Sequence, residues 1–167
     1  MSEKDKVYKG KVKQSGIFNF KDFYEFLYDY LVDENYDIIE TKYVEKMKGE
    51  SKDLEIIWSA TKEVSDYFKF EIKVHWFIYG MKKMKVKKEG EELTMDNGTM
   101  ELRFDAFIIK DWENRWENNP FWKFLRGVYD RYIIKSRVDD YGIKVWEETI
   151  EVANQAKSFL AVEGQSG

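Results

Sequence analysis

The chain contains one histidine, His75, and no cysteine among 167 residues, and these counts bound the chemistry open to it. Without cysteine there is no disulfide, no thiolate metal site and no cysteine nucleophile. One histidine per chain excludes a multi-histidine metal centre. His75 lies in an alternating stretch that points it away from Trp76, toward the side bearing Glu71 and Lys73. A general base there needs a partner that the sequence does not identify, so the expected place for His75 is the surface. Asp105 and Asp111 are the carboxylates with the best claim to acid–base work, yet no acid–base pair can be recognised. A Gly-rich phosphate loop, a dinucleotide fingerprint, a His-Glu-x-x-His pair, a calcium loop and a Gly-x-Ser-x-Gly elbow are all absent from the sequence. The expectation is a non-enzymatic chain with no cofactor and no metal site.

Binding residues are the next candidates. Lys82, Lys83, Lys85, Lys87 and Lys88 alternate with Met84 and Val86, a pattern that could attract phosphate. No aromatic interleaves with them and Glu89, Glu91 and Glu92 offset them, so a solvated strand is expected and no nucleic-acid partner. Asn97-Gly98-Thr99 matches an N-glycosylation acceptor, but without a secretory signal the hairpin-turn reading of 96–98 prevails. Trp112, Trp116 and Trp122 cluster with Phe121 before the last helical stripe. In a helical turn Trp112 and Trp116 share a face, where they would rim a pocket, contact a partner or simply cover the end of a sheet.

The elements that position these residues are set by periodicity. Phe68, Phe70, Ile72, Val74, Trp76 and Ile78 occupy every second position, with Lys69, Glu71, Lys73 and His75 between them, as a half-buried strand requires. The polar face turns apolar toward its ends, at Phe77 and Tyr79 after His75 and at Phe107 and Ile109 after Asp105. Something must cover these ends: closure of the sheet, the first strand or a second copy of the chain. Further strands are expected at 7–13, 36–46, 54–60, 83–87, 93–95 and 100–108, with turns at 15–16, 48–52, 65–66, 89–90 and 96–98. Phe20, Phe23, Tyr24, Leu27, Tyr30 and Leu31 recur at helical spacing behind Asn19, which is suited to cap them. A second stripe runs from Phe121 through Ile133, and after a break or kink at Asp139, Asp140 and Gly142 a third runs from Trp146 to Leu160.

This order predicts one α+β domain over 1–163. A curved antiparallel sheet of about six strands packs on an amino-terminal helix and a long carboxy-terminal helix or helix pair (β-α-β(5)-α-α), and 164–167 form a flexible tail. In order of elements it resembles the helix-grip arrangement of the START and Bet v 1 groups, and that resemblance implies an enclosed apolar ligand. Trp58, Phe68, Phe70, Trp76 and Phe104 on the concave face are the residues expected to line such a pocket for a small apolar or amphipathic molecule. The alternative is a protein-interaction or homo-oligomerisation domain, a homodimer first, in which the same rings fill the core. Charge is interspersed and the net value is −4, which gives no general pull toward nucleic acid or anionic lipid. No apolar run reaches the roughly 20 residues of a membrane span and no signal peptide is seen, so a cytoplasmic location is expected.

Overall fold

The alternation in 67–78 translates directly into burial. Phe68, Phe70, Ile72, Val74, Trp76 and Ile78 are all buried on one side of their strand, while Lys73 on the other is exposed. A computed structural model describes residues 3–110, 120, 121, 123–125, 128 and 135–164. The elements run β1 (Glu3–Phe18), α1 (Phe20–Asp33), β2 (Asp37–Lys48), β3 (Ser51–Glu63), β4 (Phe68–Lys88), β5 (Glu91–Lys110) and α2 (Lys135–Gly164). All strand pairs are antiparallel and the order across the sheet is β1-β5-β4-β3-β2.

Helices α1 and α2 lie on the same face. From α1, Phe23 meets Trp76 with ring centroids 5.4 Å apart and Tyr24 meets Trp58 at 5.0 Å. From α2, Tyr141 meets Phe68 at 4.9 Å, and Phe159 stacks on Phe26 of α1 at 4.8 Å. Leu54, Ile56, Met100, Leu102 and Ala106 complete the covered face, so the core is the layer between sheet and helices.

Helix α1 begins and ends as its sequence predicts. Asn19 accepts a hydrogen bond from the Asp22 N–H at 3.1 Å. At the other end Asn35 takes a positive φ of 70°, and the Asn35 and Tyr36 N–H groups donate back to Val32 and Leu31.

Three expectations are corrected. The sheet has five strands among the described residues, because the stretches expected as separate strands at 83–87 and 93–95 are the outer halves of β4 and β5. Asp96-Asn97-Gly98 is not a hairpin turn but continuous strand, paired with β4 on one side and β1 on the other. The β4–β5 turn is Glu89-Gly90, where both residues have positive φ, as a two-residue hairpin of this hand requires. Ser15-Gly16 likewise does not end β1, which continues to Phe18 in register with Asp96. Of the break or kink expected at 139–142, the break is absent: α2 passes through it, with Gly142 set against Ile108 and Val7.

Candidate functional site

The five residues expected to line a pocket come together, and helix side chains lie on them. Trp58, Phe70, Trp76 and Phe104 have no exposed surface and Phe68 is 2% exposed. Trp58 and Trp76 touch edge to face with centroids 5.0 Å apart, and Phe20, Phe23 and Tyr24 each reach Trp76 within 6.0 Å. One polar thread runs through this cluster. Glu40 on β2 accepts from the Tyr24 hydroxyl at 2.8 Å and from the Trp58 indole at 3.3 Å. Burial, with the Glu40 carboxylate second, pushes the Tyr24 hydroxyl up to about 12. Trp76 differs, since its buried Nε1 has no hydrogen-bond partner among the described residues.

Surface grooves open elsewhere. One of about 240 Å³ lies between the start of α1 and the outer hairpin, lined by Asn19, Asp22, Val86 and Leu93. Another, about 490 Å³, lies beside α2 against Val7, Ile108, Ile143 and Trp146. A third of about 180 Å³ is walled by Phe77 and Tyr79. None of these three includes any of the five interior aromatics.

The sheet face opposite α1 and α2 carries the polar residues. His75 is there, as alternation requires, with Nε2 3.0 Å from Glu55 Oε1 and its ring stacked on Phe77 at 4.0 Å. Lys42 shares the same Glu55 oxygen at 2.9 Å, and hydrogen bonds from Lys42 and then His75 hold the Glu55 carboxyl below its usual range. Among the described residues, cations lie over two of the four apolar side chains at the strand ends, Phe107 and Phe77. Lys4 from β1 sits 4.2 Å above the Phe107 ring with Lys6 and Lys73 nearby, and the Arg103 guanidinium lies 4.7 Å above Phe77.

Asp105 pairs with Lys6 at 3.2 Å. Asp111, Trp112, Trp116 and Trp122 lie outside the described residues. Of the stripe expected over 121–133, Phe121, Phe124 and Val128 are described and exposed. The lysine group behaves as a solvated strand: Lys83 pairs with Asp96 at 2.8 Å and Lys85 faces Glu92 at 3.8 Å. Among the described residues no cluster of three or more histidine or carboxylate side chains could hold a metal ion, and no helix is long and apolar enough to cross a membrane.

Two constellations had no signal in the sequence. Glu148 on α2 accepts from the Tyr36 hydroxyl at 2.7 Å and from Lys62 Nζ at 2.9 Å, while Lys62 also reaches the Glu34 carbonyl that ends α1. Burial, then Glu148, pushes the Tyr36 hydroxyl far up, so it remains a donor. The second is Asp96, 2% exposed, whose Oδ2 accepts from the Phe20 N–H at 2.9 Å and anchors the start of α1 to β5. Each joins elements remote in sequence, which leaves no local pattern.

No family model matches the chain, and no match was found among curated proteins or solved structures.

Proposed function

We propose that the chain is a non-enzymatic interaction domain of helix-grip type with a filled core, which associates with a second copy of itself along the β2 edge. The strand order β1-β5-β4-β3-β2, with both helices on one face, supports the helix-grip assignment. The observation that carries the interaction reading is β2 itself. It is a 12-residue edge strand on which every side chain but Ile38 is exposed, Ile39, Tyr43, Val44 and Met47 among them. An edge of unpaired backbone groups bearing apolar side chains is a template for strand addition. Sedimentation velocity over a concentration series tests this. A dimer that dissociates on dilution and is abolished by Ile39→Lys with Met47→Lys is the expected result; a strict monomer at the highest concentration reached overturns it.

A second reading, the enclosed apolar ligand, rests on Trp76. A buried indole N–H without an acceptor loses about 1–3 kcal/mol relative to a satisfied one, and a ligand oxygen reaching it would restore the bond. Native mass spectrometry of protein purified without detergent distinguishes the two: a near-stoichiometric small-molecule mass favours the ligand, and a bare chain the filled core.

A further inference from the structure

The open face of the sheet is not a neutral solvated surface. β1 turns Lys4, Lys6, Lys9, Lys11 and Lys13 to this side, opposite Ile109, Phe107, Asp105, Arg103 and Glu101 of β5. β4 adds Lys69 and Lys73. Against these eight basic groups, counting Arg103, the same three strands present three carboxylates, Glu71, Glu101 and Asp105. The surplus stands on a chain whose net charge is −4, so the basic groups are segregated here rather than spread evenly. Lys11, Arg103 and His75 even stand in one row, directly opposed across β1, β5 and β4. Glu101 serves both Lys11 and Arg103, and Glu55 meets His75, so carboxylates hold this row in place.

Aromatic rings share the face. His75, Phe77 and Tyr79 follow one another along β4, with the Phe77 and Tyr79 planes within 9° of parallel and their centroids 6.3 Å apart. Tyr79 is 49% exposed and walls the groove of about 180 Å³ with Phe77. The lysines at 82–88 have no rings between them; on this other surface, basic side chains and rings stand together.

We infer that the β1-β5-β4 face binds single-stranded nucleic acid, with the phosphates along the β1 lysines and bases over Tyr79, the exposed end of the ring row on β4. Lysines at every second residue of a strand recur about every 6.7 Å, giving a line of positive charge for a phosphodiester backbone. Two strand spacings, about 10 Å, separate that line from the rings, so a backbone on β1 turns its bases over β5 toward Tyr79. Stacking supplies affinity without sequence preference, because every base has a π-face. A duplex hides its bases, and an acidic protein or anionic membrane has no use for the ring row.

The test is fluorescence anisotropy of labelled oligo-dT and oligo-U, with a duplex of equal length and phosphatidylserine vesicles as competitors, over a salt series. The expected result is binding of the single strands that weakens linearly in log salt. Lys9→Gln with Lys11→Gln and Lys13→Gln lowers that slope by about 2, at about 0.7 for each phosphate no longer neutralised. Tyr79→Ala weakens binding about tenfold at unchanged slope. Lys85→Gln with Lys87→Gln on the outer hairpin changes neither. All are positions with solvent access, and circular dichroism confirms that each variant is folded. No binding at low salt, equal loss from the hairpin variant, duplex bound as tightly with no effect of Tyr79→Ala, or vesicles displacing the protein from oligonucleotide each overturns the inference. It stands apart from the dimer proposal, which concerns the other edge.

Discussion

Glu71 shows how a single carboxylate on the sheet's open face is held. Burial raises its carboxyl pKa, but the Lys4 ammonium and the Ser59 hydroxyl, 2.7 Å away, act more strongly together and leave it below its ordinary value. A pKa depressed on folding contributes stability that is fully present above the unfolded value, near 4.3, and is lost as pH falls through the folded value. Glu71→Gln is therefore expected to cost about 1–2 kcal/mol at pH 7 in urea denaturation, with the gap to wild type closing below about pH 4. An unchanged gap in acid would show that shape rather than charge sets the cost. Half of this arrangement was legible in the sequence: alternation put Glu71, Lys73 and His75 on one face. Its partner was not, because Lys4 arrives from a strand that pairs with β5, and register between remote strands leaves no mark in local spacing.

At the scale of elements, the β4–β5 hairpin is where periodicity served best and turn chemistry misled. Asp-Asn-Gly marks turns because Asn and Gly tolerate positive φ, yet Gly98 is present for a different reason. A Cβ there would lie 3.0 Å from both the Met81 Cα and the Tyr79 carbonyl oxygen, at the bulge where β4 shifts register between Tyr79 and Lys82. Both obstacles are backbone atoms, so Gly98→Ala is expected to destabilise by about 1–3 kcal/mol through displaced strands. The neighbouring Asp96 has its own duty, bonding the Phe20 N–H and Lys83. Asp96→Ala is expected to cost a further about 1–2 kcal/mol and to fray the first turn of α1. Hydrogen exchange separates the two: Asp96→Ala speeds exchange at the start of α1, Gly98→Ala in the outer halves of β4 and β5. Loss of protection in the same residues for both would mean that the bulge and the cap are one structural unit. A turn signal names a local conformation, whereas a glycine demanded by close approach depends on a strand the signal does not see.

For the molecule as a whole, the sequence order already contained an α+β chain with helices at both ends of a run of strands, and that much is observed. What order alone does not contain is closure, in which β1 crosses to pair with β5, joining Glu3 to Lys110 and Phe18 to Asp96. The hairpins β2–β3, β3–β4 and β4–β5 need only local loops, but β1 must wait for a partner at the far end of the run of strands. Loop-closure entropy is met before such a contact returns any stability, so β1 is expected to dock late. Val12 on β1 and Val74 on β4 are matched probes, both valines buried on the core face. Each cut to alanine should cost about 1–3 kcal/mol. The cost should divide differently: Val74→Ala slows refolding, whereas Val12→Ala leaves refolding nearly unchanged and speeds unfolding. Stopped-flow chevrons measure both limbs, and a Val12→Ala variant that refolds as slowly as Val74→Ala would place β1 in the nucleus. A late β1 also links folding to the face proposed to hold nucleic acid, since its lysines take their positions only when the sheet closes. A single strand that binds there stabilises the closed state alone, by RT ln(1 + [L]/Kd). Oligonucleotide should therefore slow unfolding of the wild type and leave the rate of refolding unchanged.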